Sequence, residues 1–186
     1  MKKIYFYITA IIIFLLSFLL DNPVASFFVN HRIGFLDTIS IFIHSIEGYF
    51  LFAFMLIFLL AFKQKKKIIP LLLTFILYLG ATQFIKIVTA RPRPFTKFNF
   101  DSLGSIDINR SFPSGHVTAT SSMLRFFEFN NIFFYIWIFV TILVMFSRIY
   151  LGMHYLSDVV AGFILGYGLS DFSFWIADGL KRWKFK

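Results

Sequence analysis

Ser147-Arg148-Ile149-Tyr150-Leu151-Gly152-Met153-His154-Tyr155-Leu156-Ser157-Asp158 is a polar, charged segment set between two long apolar stretches. Ile132 to Ser147 precedes it, and Tyr155 to about Ala177 follows. A membrane-crossing helix needs about 20 mostly apolar residues. Reading both flanks as crossing helices makes the middle a short turn through Gly152 at one membrane surface. A helix from Leu156 to Gly168 then puts His154 and Asp158 four residues apart on a shared face. A carboxylate so placed can bind one imidazole nitrogen and leave the other free to attack. Arg148 lies six residues upstream of His154. A guanidinium, an imidazole and a carboxylate together suit the handling of an anion.

The rest of the chain is built of the same material. Of 186 residues, 59% are hydrophobic, 22% are aromatic and only 15% are charged, with a mean hydropathy of +0.79. A soluble domain carries about 25% charged residues. A soluble fold of this length cannot hide so much apolar surface. The expectation is a single all-α integral-membrane domain over residues 1–186, with no separate soluble domain. There is no cysteine, which excludes disulfides and thiol chemistry. The net charge of +9 does not indicate nucleic acid, because the basic residues fall in short loops between apolar runs, where membrane topology accounts for them.

Six crossing helices in one bundle are expected. Met1-Lys2-Lys3 precedes an apolar run from Ile4 to Leu20. A signal peptide has a shorter apolar region and a better cleavage site than Pro23-Val24-Ala25, so the run is expected to be an uncleaved first helix, ended by Asp21-Asn22-Pro23. Phe35 to Ile46 suits a short interfacial helix, with His44 and Glu47 as surface or interfacial groups and a substrate contact as the lesser alternative. Tyr49 to Phe62 is a second span, followed by the basic loop Lys63-Gln64-Lys65-Lys66-Lys67. Ile68 to about Thr89 is a third, with Pro70 in its first turn, where a missing N–H does no harm. Residues 90–112 form a long polar loop, a length that usually signals function or disorder. Ser114 to Phe129, Ile132 to Ser147 and Tyr155 to Ala177 complete the set. Gly162 and Gly166 have the spacing that lets membrane helices approach closely. The tail from Lys181 to Lys186 is a basic, aromatic interfacial anchor.

With six spans, both termini lie on one side. That side carries 11 of the 18 lysines and arginines, and the other carries 7. The positive-inside rule therefore puts both termini in the cytoplasm. The outward seven resist the bias and need another reason to be there.

Three clusters reach that outer side at the ends of different helices. Lys86 and Arg93-Pro94 stand seven residues apart at the end of the third span. Pro113-Ser114-Gly115-His116 opens the fourth. Arg148, His154 and Asp158 join the fifth to the sixth. These clusters resemble the type 2 phosphatidic acid phosphatase family, whose pattern is lysine, six residues, Arg-Pro; then Pro-Ser-Gly-His; then Ser-Arg, five residues, His, three residues, Asp. Every position and both internal spacings match, over a motif core of residues 86–158. The family includes membrane lipid phosphatases and vanadium haloperoxidases.

The resemblance implies roles that the chemistry supports. His154 is expected to be the nucleophile that forms a phosphohistidine. Asp158 is expected to hold its other ring nitrogen and stabilise the imidazolium. His116 is expected to be the general acid, then the base that activates water. Lys86, Arg93 and Arg148 are expected to clamp the phosphate oxygens, with Ser114 and the Gly115 N–H adding donors at a helix N-terminus. Spacing selects Arg93 over Arg91. Lys97, Asp101, Asp107 and Arg110 read as loop solvation, and Asp171 and Asp178 as interfacial groups at the cytoplasmic end. No metal or other cofactor is expected, because three fixed cations already neutralise a phosphate and the chain lacks the carboxylate cluster of a magnesium-dependent phosphatase.

The implied partners are the bilayer and a membrane lipid phosphate; no nucleic acid or obligate protein partner is indicated. The resemblance offers lipid A phosphate, phosphatidylglycerophosphate, undecaprenyl pyrophosphate and phosphatidic acid as substrates. The small size suggests a bacterial cytoplasmic membrane with the site facing outward. A phosphotransferase using the same site is the alternative. A haloperoxidase is disfavoured by the spans, and a transporter by the wholly apolar inner halves of the helices.

Overall fold

The computed structural model describes residues 2–46, 48–98 and 110–183. Glu47, Asp101 and Asp107, with the rest of 99–109, and the tail from Lys184 lie outside the described residues. Among the described residues all regular structure is helical: α1 (Lys2–Asn30), α2 (Gly34–Ser45), α3 (Gly48–Ala61), α4 (Ile68–Thr89), α5 (Pro94–Phe98), α6 (Gly115–Met123), α7 (Ile132–Tyr150) and α8 (Leu156–Trp183).

The apolar runs become helices because a lipid environment offers the backbone no other hydrogen-bond partners. This also explains why α1 does not stop at Asp21-Asn22-Pro23. It continues through Pro23 to Asn30. A proline removes one N–H and crowds one carbonyl, while ending the helix in an apolar setting would strand several more groups. Asp21 is not a helix terminator; it is a buried carboxylate facing the interior.

Four helices are long and apolar enough to cross a membrane, or five if α2 and α3 form one bent span. This is short of the six expected: α3 counts only together with α2, and α6 falls outside the count. Helix α6 has nine residues and ends in a 3-10 turn at Leu124–Phe126. From Val117 to Met123 every residue is buried. A helix surrounded by other helices has no lipid-facing side to make apolar, so it can carry Thr118, Thr120, Ser121 and Ser122. Their hydroxyls donate to carbonyls three or four residues back in α6 itself.

Helix α8 lies tightly along α6. A Cβ on Gly162 would come within 2.7 Å of the Ser114 carbonyl oxygen, and one on Gly166 would overlap the Thr118 carbonyl and Ser121 Oγ. On the other flank of α6, Trp137 Nε1 of α7 donates to the Thr120 carbonyl at 2.8 Å. A core of Met55, Leu59, Leu71, Met123 and Phe126 joins α3, α4 and the end of α6. At that end Arg125 pairs with Asp171 at 3.0 Å, and Lys67 Nζ donates to the Phe126 carbonyl at 2.7 Å. These contacts fix the register of α4, α6 and α8, and that register sets the other end of the bundle.

Candidate active site

At that other end, the C-termini of α4 and α7 meet the N-termini of α6 and α8. Lys86 sits in the last turn of α4, and Arg148 in the last turn of α7. Gly115 and His116 open α6 behind Ser114, its N-cap residue. His154 lies in the short turn before α8, and Asp158 in the first turn of α8. Gly152 makes that turn with φ of 67°, where a side chain would be strained. The Ser114 N–H donates to the Asp158 carbonyl at 3.0 Å, which stitches α6 to α8.

His154 is 3% exposed. Its Nδ1–H donates to the Ser111 carbonyl at 2.6 Å. That bond leaves Nε2 with its lone pair, 3.5 Å from Arg93 Nη1. Arg93 is buried, and the same nitrogen donates to the Met153 carbonyl at 3.1 Å. Burial, followed by the nearby charges of Arg93, Lys86 and Arg148, holds the His154 imidazole well below its ordinary pKa. The ring is therefore neutral at pH 7.

The expected hydrogen bond from the His154 ring N–H to the Asp158 carboxylate is not made. The closest approach, Oδ2 to Nδ1, is 3.8 Å. Asp158 is occupied elsewhere: Oδ2 accepts the Tyr155 N–H at 2.8 Å, and Oδ1 accepts from Arg91. Arg91 does not aim at a substrate. It also donates to Ser157 Oγ and to Asp21 Oδ2, each at 2.7 Å, and its guanidinium stacks over Tyr155, 4.2 Å from the ring centroid. Asp21 Oδ1 in turn accepts the Ser157 N–H at 2.8 Å. One ionic net thus ties α1, the Arg91 segment and α8 together directly behind His154.

Arg148 is fully buried. Its Nη1 donates to His44 Nδ1 at 2.7 Å. The His44 carbonyl accepts from His116 Nε2 at 3.3 Å, and the two rings lie 5.5 Å apart. His44 is therefore a member of the site rather than an interfacial group. His116 is held below its ordinary pKa by burial first, then by Arg148, His44 and His154. Ser114 Oγ is buried without a hydrogen-bond partner among the described residues.

Lys86 Nζ lies 3.8 Å from the point a Cβ on Gly115 would occupy. Lys86, Gly115 and His116 share the wall of a cavity of about 140 Å³ that opens between α3, α4 and α6. The structure thus gathers Lys86, Arg93, Ser114, Gly115, His116, Arg148, His154 and Asp158 at one end of the bundle. Lys97 stays outside and donates to Asn22 Oδ1 at 2.9 Å. Asp171 lies at the opposite end with Arg125. The sequence does not single out Asp21 or the Ser111 carbonyl, and it offers His44 only as the lesser alternative of a substrate contact. Of the first two, only Asp21 left a signal, as a charge within a helical apolar run, where buried partners are the rule.

The buried His154 imidazole and the buried Arg93 and Arg148 guanidiniums meet at the converging ends of apolar helices. A family model of the PAP2 superfamily matches residues 68–182, which include the whole site apart from His44 and Asp21, and the chain belongs to that superfamily. Among its relatives is an undecaprenyl-diphosphatase of Sulfolobus acidocaldarius, 33% identical over 119 residues, which cover 62% of this chain and 58% of the relative. Another is the bacitracin transport permease protein BcrC of Bacillus licheniformis, 36% identical over 90 residues, 47% of this chain and 44% of the relative. The chain thus spans about half the length of these relatives. The crystal structure of Aquifex aeolicus LpxE superposes with a TM-score of 0.67 at 27% identity, covering 83% of this chain and 94% of that one. A PAP2-type phosphatidylglycerolphosphate phosphatase from Bacillus subtilis shares the fold, with a TM-score of 0.59 at 21% identity over 94% and 95% of the two chains.

Proposed function

We propose that this protein is an integral-membrane lipid phosphatase that removes a phosphate from a lipid phosphate or pyrophosphate through a phosphohistidine. One observation carries the reading. A buried, neutral His154 has its Nδ1 proton held by the Ser111 carbonyl and its Nε2 beside Arg93. That is the tautomer a nucleophile needs.

In the first step the Nε2 lone pair of His154 bonds to phosphorus, and the bond from phosphorus to the leaving oxygen breaks. His116 gives that oxygen a proton. In the second step water attacks phosphorus, His116 takes its proton, and the P–N bond breaks to free inorganic phosphate. Lys86, Arg93 and Arg148 hold the non-bridging oxygens, with the Ser114 hydroxyl and the Gly115 N–H as further donors. The unpartnered Ser114 Oγ supports this, since a buried hydroxyl without a ligand costs about 1–3 kcal/mol. His116 is neutral in the ligand-free site; an arriving phosphate brings the negative charge that raises its pKa and lets it act as an acid. Asp158, at 3.8 Å, stabilises the imidazolium through space rather than by a hydrogen bond. The three cations make a metal unnecessary.

The site faces outward from a cytoplasmic membrane and the termini face the cytoplasm. The 11-to-7 split of basic residues supports this orientation. A lipid phosphate can reach such a site at the bilayer surface without leaving the membrane.

The test is phosphate release by the purified protein in detergent from undecaprenyl pyrophosphate, lipid A, phosphatidylglycerophosphate and phosphatidic acid, with no acceptor added. Release from at least one lipid is expected, with a loss of about 10⁴-fold or more in His154→Ala and His116→Ala. Cleavage of soluble esters alone, or turnover only with an acceptor alcohol, would overturn the assignment in favour of a different phosphatase or a transferase.

A further inference from the structure

One residue of α2 touches two of the residues gathered at the site, and it lies outside residues 68–182 that the superfamily model covers. His44 Nδ1 accepts from Arg148 Nη1 at 2.7 Å, and the His44 carbonyl accepts from His116 Nε2 at 3.3 Å. A guanidinium can only donate. The first bond therefore fixes the His44 imidazole as the neutral tautomer with its proton on Nε2. It is shorter than the contacts of Arg148 with Ser147 Oγ at 3.3 Å and Met153 Sδ at 4.0 Å.

The bond is not needed to dock α2. At the start of that helix the Tyr150 hydroxyl accepts the Ile33 N–H at 2.8 Å and donates to the Ile33 carbonyl at 3.0 Å. Leu36 packs against the cluster of Tyr150, Leu151 and Met153, and Ile43 against that of Val117, Val144 and Val159. Removing the imidazole leaves all of these in place. What the bond does set is the direction of Arg148. Its guanidinium ends a long, flexible side chain, and recognition of a phosphate by a planar fork of donors needs that plane held in one orientation. A carboxylate partner would hold it but offset its charge, as Asp21 and Asp158 do for Arg91. A neutral imidazole holds it and leaves the charge for an anion.

We infer that His44 is a positioning residue of the site: its Nδ1 lone pair aims the Arg148 guanidinium at the phosphate. This rests on the phosphatase reading above in taking Arg148 as a phosphate clamp. The His44 imidazole acts on the anion through Arg148 and moves no proton itself. Its backbone carbonyl, which meets His116, is unchanged by any substitution of the side chain, so the two contacts can be separated by experiment.

The full-length protein in detergent tests this by calorimetric binding of orthovanadate, a phosphate-like oxyanion, alongside phosphate release from the same four lipids. His44→Ala should weaken vanadate binding and lower kcat/KM, each by at least about tenfold. The unfolding temperature of the ligand-free variant should stay within about 3 °C of the wild type. His44→Asn should recover most of both losses, because its Oδ1 stands where Nδ1 stood and can accept from Arg148. In an Arg148→Ala background, His44→Ala should change kcat/KM by no more than about threefold, since a residue that acts through another adds nothing once that other is gone. A lowered unfolding temperature with unchanged vanadate affinity, equal losses in both backgrounds, or a His44→Asn protein as impaired as His44→Ala would overturn the positioning role and leave the phosphatase reading intact. A wild-type protein that binds vanadate but releases phosphate from no lipid would overturn the phosphatase reading, and the vanadate affinities of the variants would still decide the role of His44. A wild-type protein that binds no vanadate would overturn both.

Discussion

At His154 the Nδ1 proton is held by a neutral acceptor, the Ser111 carbonyl at 2.6 Å, while the Asp158 carboxylate stands at 3.8 Å. The two groups divide what one carboxylate does in a serine-protease triad. The carbonyl sets the tautomer, and the carboxylate supplies charge. Where a carboxylate alone sets the tautomer, its change to an amide costs about 10⁴-fold. Here Asp158→Asn should cost only about 10²-fold in kcat, because the Ser111 carbonyl remains; a 10⁴-fold loss would mean that Asp158 sets the tautomer after all. The depressed His154 pKa carries a second consequence. The nucleophile must be neutral, and protonation disables it only as pH falls through the folded-state value, which lies well below the ordinary 6.5. The acid limb of kcat/KM should therefore lie below pH 6.5, and a half-maximal point at or above 6.5 in a pH–rate profile would contradict this.

Among the elements, the pair of α6 and α8 matters most. Both helix N-termini lie at the candidate site, and Gly162 and Gly166 let the two helices pack in register. Gly166→Leu would drive a side chain into the Thr118 carbonyl and Ser121. Thermal unfolding in detergent should show a loss of about 3 kcal/mol or more, with activity lost alongside; a stable, active variant would mean that the close approach is dispensable. The sequence makes a close helix approach legible through its small-residue spacing, though not its partner, and it places α4 at Ile68 to about Thr89. It misplaces the end of α1, because proline rules learned in water weaken in lipid. It overstates α6, because hydropathy measures contact with lipid and α6 has little. The motif side chains are readable as letters with fixed spacing. The Ser111 carbonyl is not, since any residue supplies one, and His44 is not, since only the packing of α2 against α7 brings it to Arg148.

Across the whole molecule, charge is sorted by end. At one end Arg125 and Lys67 are used in holding helices together. At the other, Lys86, Arg93 and Arg148 surround His154 and shift its pKa, and Arg91 neutralises the carboxylates behind it. That second end is a cationic recess at the end of an apolar bundle. The proposed mechanism requires His154 to form a covalent bond to phosphorus there. The direct measurement is a quench in alkaline detergent of the purified enzyme turning over lipid labelled with ³²P in its terminal phosphate, with EDTA present, followed by peptide mapping at alkaline pH. The account predicts an alkali-stable, acid-labile phosphoryl group on the peptide carrying His154, formed without added metal and missing from His154→Ala. A phosphoryl group on any other residue, or undiminished turnover by His154→Ala, would contradict it.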